Sequence, residues 1–439
     1  METIAGFPFT GIEFTKDGAI FDEGQVQDAV SMVDMAQPSD VLVLAHGWND
    51  DMTEAKHLYT NLLQHLRSSL DAGRVPGADR AYAVVGVFWP SKKFAEKDLI
   101  PSGAAGLGSG ISDAEIVARL EDLKGVFSEP DADTALNQAK KLVPSLEDDP
   151  DARRQFADLL RSVVPRSAAN DEDATDSFFG LGGEQLMQKL SKPVLPAPPP
   201  PGQGGGAAQL GSPQPPGGAA GLGTILSGIK GAALNMLNFT TYYQMKQRSG
   251  VVGAGGVYQV LKRIKGHRDV RVHLAGHSFG GRLVTAAATG PEGQPAVGVQ
   301  TMTLLQAAYS HYGLAHDYEP GKDGFFRRMV TATSVSGPVL ITHSVKDIAV
   351  GIAYPLASLI AGQVAAALGD KNDRYGGMGR NGAQKTPEAV DGTLVSDAST
   401  YAFTPGKIFN LNADLVITSH SDICKDQVAD AVLTAIATT

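Results

Sequence analysis

Residues 272–283 read VHLAGHSFGGRL, and the fold turns on how this stretch is understood. An apolar run ends in Gly276-His277-Ser278-Phe279-Gly280-Gly281, and an apolar helical pattern begins directly after it. A residue on a very tight strand-to-helix turn is held in a strained backbone conformation. Its neighbours two before and two after come so close that side chains there would clash. Gly276 and Gly280 occupy those two places around Ser278. Such a turn presents the serine hydroxyl at the carboxyl edge of a sheet, with the N-terminus of the next helix behind it. A Gly-rich turn with an incidental serine is the competing reading, because G-x-S-x-G is a short pattern.

Outward from this turn the chain alternates. Residues 41–45 (VLVLA) form a continuous apolar run ending in His46-Gly47, as a buried parallel strand does. Leu58, Leu62, Leu63, Leu66 and Leu70 recur at helical spacing over 51–70. YAVVGVFWP, VRVHLA, VQTMTLLQAA, PVLITHS and KIFNLNA read as further strands. A helix is expected after the serine turn to about residue 289, an Ala-rich one after Asp347, and a last one over SDICKDQVADAVLTAIA with Ser421 as its cap. This pitch predicts an α/β fold: a mostly parallel sheet with helices on both faces. In such sheets chemistry collects at the carboxyl ends of strands.

One long insertion interrupts the alternation. The core is expected over 1–90 and 251–439. Residues 91–192 read as a helical insertion, with a capping pattern at Ser112 and Glu115 and a helix start at Asp149-Pro150. Residues 193–223 are Pro/Gly-rich without collagen periodicity and read as a disordered linker. Residues 224–250 read as a helix returning to the core. The insertion is open to three readings: a cap over the site, a docking arm for a protein partner, or a neutral elaboration. Phe178, Phe179, Leu181, Leu226, Met236, Leu237, Phe239 and Tyr242 would line an acyl groove in the first case or form the insertion's own core.

A serine hydroxyl needs a base, a residue to orient that base, and donors for an oxyanion. His420, between the last strand and the last helix, lies downstream of every other part, as a Ser–acid–His order requires. Asp347, shortly after PVLITHS, is the candidate acid, against the alternative of a helix N-cap. Asp317 and Glu319 compete with it, Asp422 lies too close to His420, and His343 reads as a supporting residue. His46-Gly47-Trp48 follows the first buried strand, so the Trp48 and Phe279 amides are the expected oxyanion donors. His277, Tyr309, His311 and Tyr312 are candidate substrate contacts.

With HGW after a buried strand, GHSFGG at the turn, HSVKD after a later strand and SH before the last helix, the chain resembles the α/β-hydrolase superfamily over 38–90 and 251–439. Within it, LAHGWNDD and FWPSKK are most similar to bacterial hydrolases carrying an insertion at this position. The resemblance implies a serine hydrolase acting on esters or related acyl bonds, with no cofactor; it does not name the substrate. The large insertion follows VFWPS, whereas in many cap-bearing relatives it follows the strand after the serine turn.

Composition narrows the classes. In 439 residues the net charge is −10, which disfavours nucleic acid and anionic surfaces as partners. Cys424 is the one cysteine, so no intramolecular disulfide forms, and no ligand spacing suggests a metal. No Sec signal or membrane-spanning stretch is apparent, and a cytoplasmic location is expected, with specialised secretion left open. The expectation is a carboxylic ester hydrolase. The alternatives are a lipase or phospholipase, or a catalytically silent interaction protein using the insertion.

Overall fold

The computed structural model describes residues 2–48, 50–91, 111–166, 175–191, 228–347, 371 and 373–439. The chain divides into two compact units. The first comprises Met1–Lys92, Met245–Val350 and Gly377–Thr439, and the second Lys93–Gln244 and Gly351–Gly376.

The first unit is built on a nine-stranded sheet. Its strands are β1 (Glu2–Ile4), β2 (Phe7–Glu13), β3 (Asp40–Ala45), β4 (Tyr82–Phe88), β5 (Arg271–His277), β6 (Thr301–Leu305), β7 (Val339–His343), β8 (Ala389–Thr393) and β9 (Ile408–Asn412). The order is β1-β2-β4-β3-β5-β6-β7-β9-β8, and every pair except β1–β2 is parallel. The protein is therefore α/β with a mostly parallel sheet. The sequence reading assigns no strand to β1, β2 or β8.

Why β3 to β6 form strands follows from their composition. All six side chains of β3 and all five of β6 are buried, so continuous apolar runs fit where alternating ones would not. Leu42 and Leu44 share a core with helix α2 (Met52–Asp71) and the last helix on one face of the sheet. Helix α1 (Glu23–Ala36), which the sequence reading does not assign, packs on β2 and on α9 (Tyr258–His267). The Asp51 carboxylate and Glu54 close a capping box on α2 (Met52–Asp71).

Helices α3 (Asp113–Asp122), α4 (Ala132–Leu142), α5 (Pro150–Ser162), α6 (Thr175–Gly180) and α7 (Gly183–Leu190) belong to the second unit. The Ser112 hydroxyl accepts from the Glu115 amide at 3.2 Å, and the Asp149 carboxylate caps α5. Phe178 is fully buried against Phe239 and Tyr243, so these aromatics serve as the unit's own core. Helix α8 (Gly228–Val252) runs two residues beyond the expected returning helix. Leu226, the Pro/Gly-rich linker and the Ala-rich stretch after Asp347 lie outside the described residues.

Helices α9 (Tyr258–His267) and α10 (Phe279–Thr289) complete the frame around β5. The last helix is Asp426–Ala437, so it starts five residues after the expected Ser421 cap. The reason lies in the preceding loop. Asp422 turns back to accept from the Thr418 amide and hydroxyl, which closes residues 418–422 as a turn and not a first helical turn. No helix among the described residues is long and apolar enough to cross a membrane.

In the central strands β3, β4, β5 and β6 the order runs β4-β3-β5-β6, so the chain moves outward in opposite directions from the β3–β5 pair. Parallel pairing puts the carboxyl ends of these strands on one edge. In open parallel sheets such a reversal marks the edge where ligands bind, outside the carboxyl ends of the strands.

Candidate active site

Ser278 sits at that edge, between β5 and α10, with φ 56° and ψ −124°. This is a sparsely populated conformation for a side chain other than glycine, costing on the order of 1–3 kcal/mol. Backbone bonds hold it: Ser278 N–H donates to Leu305 O at 3.0 Å, and the Ser278 carbonyl accepts from Gly281 and Ala308, each at 3.0 Å. A Cβ on Gly276 would lie 2.2 Å from Gly280 O, and one on Gly280 would lie 2.2 Å from Ala45 O. The two glycines are thus required by close backbone approach, as the pattern in the sequence suggests.

Three side chains from distant parts of the chain meet here. Ser278 Oγ lies 2.9 Å from His420 Nε2, and His420 Nδ1 lies 2.8 Å from Asp347 Oδ2. Ser278, His420 and Asp347 are 5%, 7% and 0% exposed, so the relay is largely screened from solvent. With Nδ1–H given to the carboxylate, Nε2 is left with a lone pair facing the serine hydroxyl. That arrangement can take a proton from the serine and stabilise the resulting imidazolium.

Two loops bring the acid and base together. Ser344–Asp347 is a turn in which Asp347 N–H donates to Ser344 O at 3.0 Å. Ser344 Oγ donates to Ile417 O at 3.1 Å, and Val345 N–H to Asp414 Oδ1 at 2.8 Å, tying this turn to the loop that carries His420. The Asp347 carboxylate also receives the Gln306 side-chain amide at 3.1 Å. The rival carboxylates are placed elsewhere. Asp317 is exposed and accepts from the Gly321 amide, and Glu319 pairs with Lys322.

His277 is fully enclosed beside the relay. Its Nε2–H donates to the His420 carbonyl at 3.0 Å, and the two rings are 4.9 Å apart. Burial, reinforced by the neighbouring His420, pushes the His277 imidazole down to about 4, so it is neutral at pH 7. A carbonyl only accepts, which places the proton on Nε2. Nδ1 then faces Gly47, where an added Cβ would stand 3.0 Å away. His277 supports the His420 loop in this arrangement and packs against Gly47.

The loop after β3 is clasped to the end of β4. Trp89 Nε1–H donates to His46 O at 3.0 Å, and the Trp89 amide to His46 Nε2 at 3.3 Å. The imidazole stacks on the Trp89 indole at 5.7 Å. Asp50 lies 3.7 Å from His46 Nδ1; burial alone would raise its carboxyl, but the neighbouring His46 ring and the Gly47 amide hold it below the usual range. Trp48 is half-buried, and its ring meets that of Phe279 at 6.0 Å across the mouth of the serine turn. Phe279 is the first residue of α10, so its amide lies at the positive end of that helix.

The three residues after β6 expected to touch substrate are packed inward. Tyr309 is 1% exposed, with its hydroxyl 3.2 Å from Thr285 Oγ1 and its ring edge-on to Phe326. His311 is buried against Tyr312, and Tyr312 stacks on Tyr318 at 5.3 Å. Their aromatic bodies are used for core packing. The residues overlooked in the sequence are Gln306, Ser344 and Trp89. Each directly follows or adjoins a strand end, which is the available signal, but an amide, a hydroxyl and an indole announce no chemistry by type. No group of His, Cys, Asp and Glu suited to a metal ion is present among the described residues.

Comparison with known proteins found no matching family model, no matching curated protein and no matching solved structure.

Proposed function

We propose that the protein is a serine hydrolase of the α/β-hydrolase fold that cleaves carboxylic esters through an acyl-enzyme. The observation that carries this reading is the hydrogen-bonded chain from Ser278 Oγ through His420 to the buried Asp347. In the first step His420 Nε2 takes the Ser278 proton as Oγ attacks the ester carbonyl. Negative charge gathers on the carbonyl oxygen, and the Phe279 and Trp48 amides are the assigned donors for it. The tetrahedral species collapses, and His420 returns the proton to the departing alcohol. Water then attacks the acyl-serine with His420 again as base, releasing the acid.

Asp347 keeps the imidazole in the productive tautomer and stabilises its charged form; it does not itself take up the proton. The neutral His277 places no positive charge beside His420, so the base is not opposed by a like charge.

The test is hydrolysis of p-nitrophenyl esters from two-carbon to sixteen-carbon acyl chains, with Ser278→Ala as the blank. Serine-dependent turnover is expected, and the chain length of the maximum separates a short-acyl esterase from a lipase. Fluorophosphonate labelling reads the nucleophile independently of substrate choice. Absence of both turnover and labelling in the folded wild type would overturn the proposal.

A further inference from the structure

We propose that Gln306 is a positioning residue that fixes the Asp347 carboxylate and sets how strongly it supports His420; this rests on the hydrolase reading above. Gln306 is the first residue after β6 and is wholly buried. Its Nε2 donates to Asp347 Oδ2 at 3.1 Å and to Gly379 O at 3.0 Å. Both partners are acceptors only, which settles the orientation of the amide: flipped, it would set Oε1 against a carboxylate and a carbonyl. The same Oδ2 receives His420 Nδ1–H at 2.8 Å, so two donors converge on one oxygen and hold the carboxyl plane.

Two features mark this residue as shaped for the contact and not for stability. Gln306 has φ 47°, a left-handed conformation rare for a side-chain-bearing residue. Its Oε1 is buried without a hydrogen-bond partner among the described residues. An unmet buried acceptor and a strained backbone are both unfavourable, and strain of this kind concentrates where geometry is held for function. The backbone around it is firmly placed: Gln306 N–H donates to Thr342 Oγ1 at 3.2 Å, and a Cβ on Gly379 would lie 2.4 Å from Gln306 C.

The electrostatic consequence has a definite sign. An N–H donated to Asp347 draws down the negative charge available to the imidazolium of His420. Removing it leaves a more basic carboxylate, so His420 holds its proton to higher pH. The other titratable groups around this pair are His277 from β5, Asp414 and Arg380 at the Val345 backbone, and Asp422 and Lys425 beyond His420.

The experiment uses Gln306→Met, which keeps length and loses the donor, and Gln306→Glu, which keeps shape and offers a protonated carboxyl O–H in place of the N–H. The expected result for Gln306→Met is a fall of roughly 10-fold to 100-fold in kcat with KM little changed, the size of one hydrogen bond to a charged group. The acid limb of the pH–rate profile should move up by about one pH unit. The low-field NMR resonance of the proton between His420 and Asp347 gives a second readout that needs no substrate; its titration midpoint should move up with the same sign. Gln306→Glu, whose buried carboxyl is held protonated beside Asp347 and donates through O–H, should keep the midpoint closer to wild type. A folded Gln306→Met protein with wild-type midpoint overturns the positioning role. If wild type itself lacks Ser278-dependent turnover, the hydrolase reading fails, while the NMR comparison still decides the contact.

Discussion

Gly280→Ala puts one methyl group where the backbone of β3 already stands. The new Cβ would lie 2.2 Å from Ala45 O, 2.5 Å from His46 O and 2.7 Å from Ala45 C. Ordinary contact begins near 3.4 Å, so the serine turn and the β3 end must separate by about 1 Å. No flexible side chain is there to give way; the obstructing atoms are main chain, held in register by the Ala45–Gly276 pairing. Overpacking of this severity costs about 3 kcal/mol. The displacement also separates Ser278 from the loop carrying Trp48, and a 1 Å misplacement of reacting groups costs about 100-fold in rate. The assay pairs denaturant unfolding with kcat/KM on the best p-nitrophenyl ester. Gly266→Ala is the control, since a Cβ there meets nothing within 4 Å and the residue lies in the last turn of α9. It should be neutral or slightly stabilising. Wild-type stability and activity in Gly280→Ala would refute the reasoning, because the close approach of β3 to α10 would then not exist.

Three other expectations are open to direct measurement. His277 is pushed down to about 4 by burial, against an ordinary 6.5. Between those values the unfolded chain binds the proton and the native one does not, so stability is full above about pH 6.5 and falls as pH drops towards 4, by roughly 3 kcal/mol from this group. Urea midpoints at pH 7 and 4.5 check it against His277→Gln, which should flatten the slope. Asp347→Asn should lower kcat by about 10,000-fold with the fold intact, through the wrong tautomer of His420, as fluorophosphonate labelling rates would show. Asp40, buried at the far end of β3, accepts from Arg80, Arg271 and His273 at 2.8–3.0 Å and is held well below the usual carboxylate range. Although burial alone would raise it, its hydrogen bonds prevail, so Asp40→Ala should cost about 3–5 kcal/mol by thermal or chemical unfolding while leaving kcat unchanged in folded protein.

The central strands and the serine turn are legible because their cause is local. An apolar run buried on both faces has one outcome, and Gly276-x-Ser278-x-Gly280 states in five residues that backbone passes on either side of Ser278. Position after a strand end, together with chain order, then points to His420, but leaves Asp347 in competition with Asp317 and Glu319 until the structure places those two elsewhere. The edge strands are another matter. β1 has three residues, β2 contains Pro8 and Gly11, and four of the five residues of β8 are exposed, so neither propensity nor alternation marks them; their pairing partners do. The last helix starts late because Asp422 is captured by Thr418, a competition between two turns that helix signals do not resolve. The 2.8 Å approach of His420 to Asp347, and the Gln306 amide on the same oxygen, join residues 73 and 41 positions apart. Which residue types stand at the strand ends is written in the chain. Which oxygen they share is decided only when parallel pairing brings β6, β7 and β9 to one edge and their loops lock together through Ser344 and Asp414, because hydrogen-bond geometry depends on ångström distances that sequence separation does not encode.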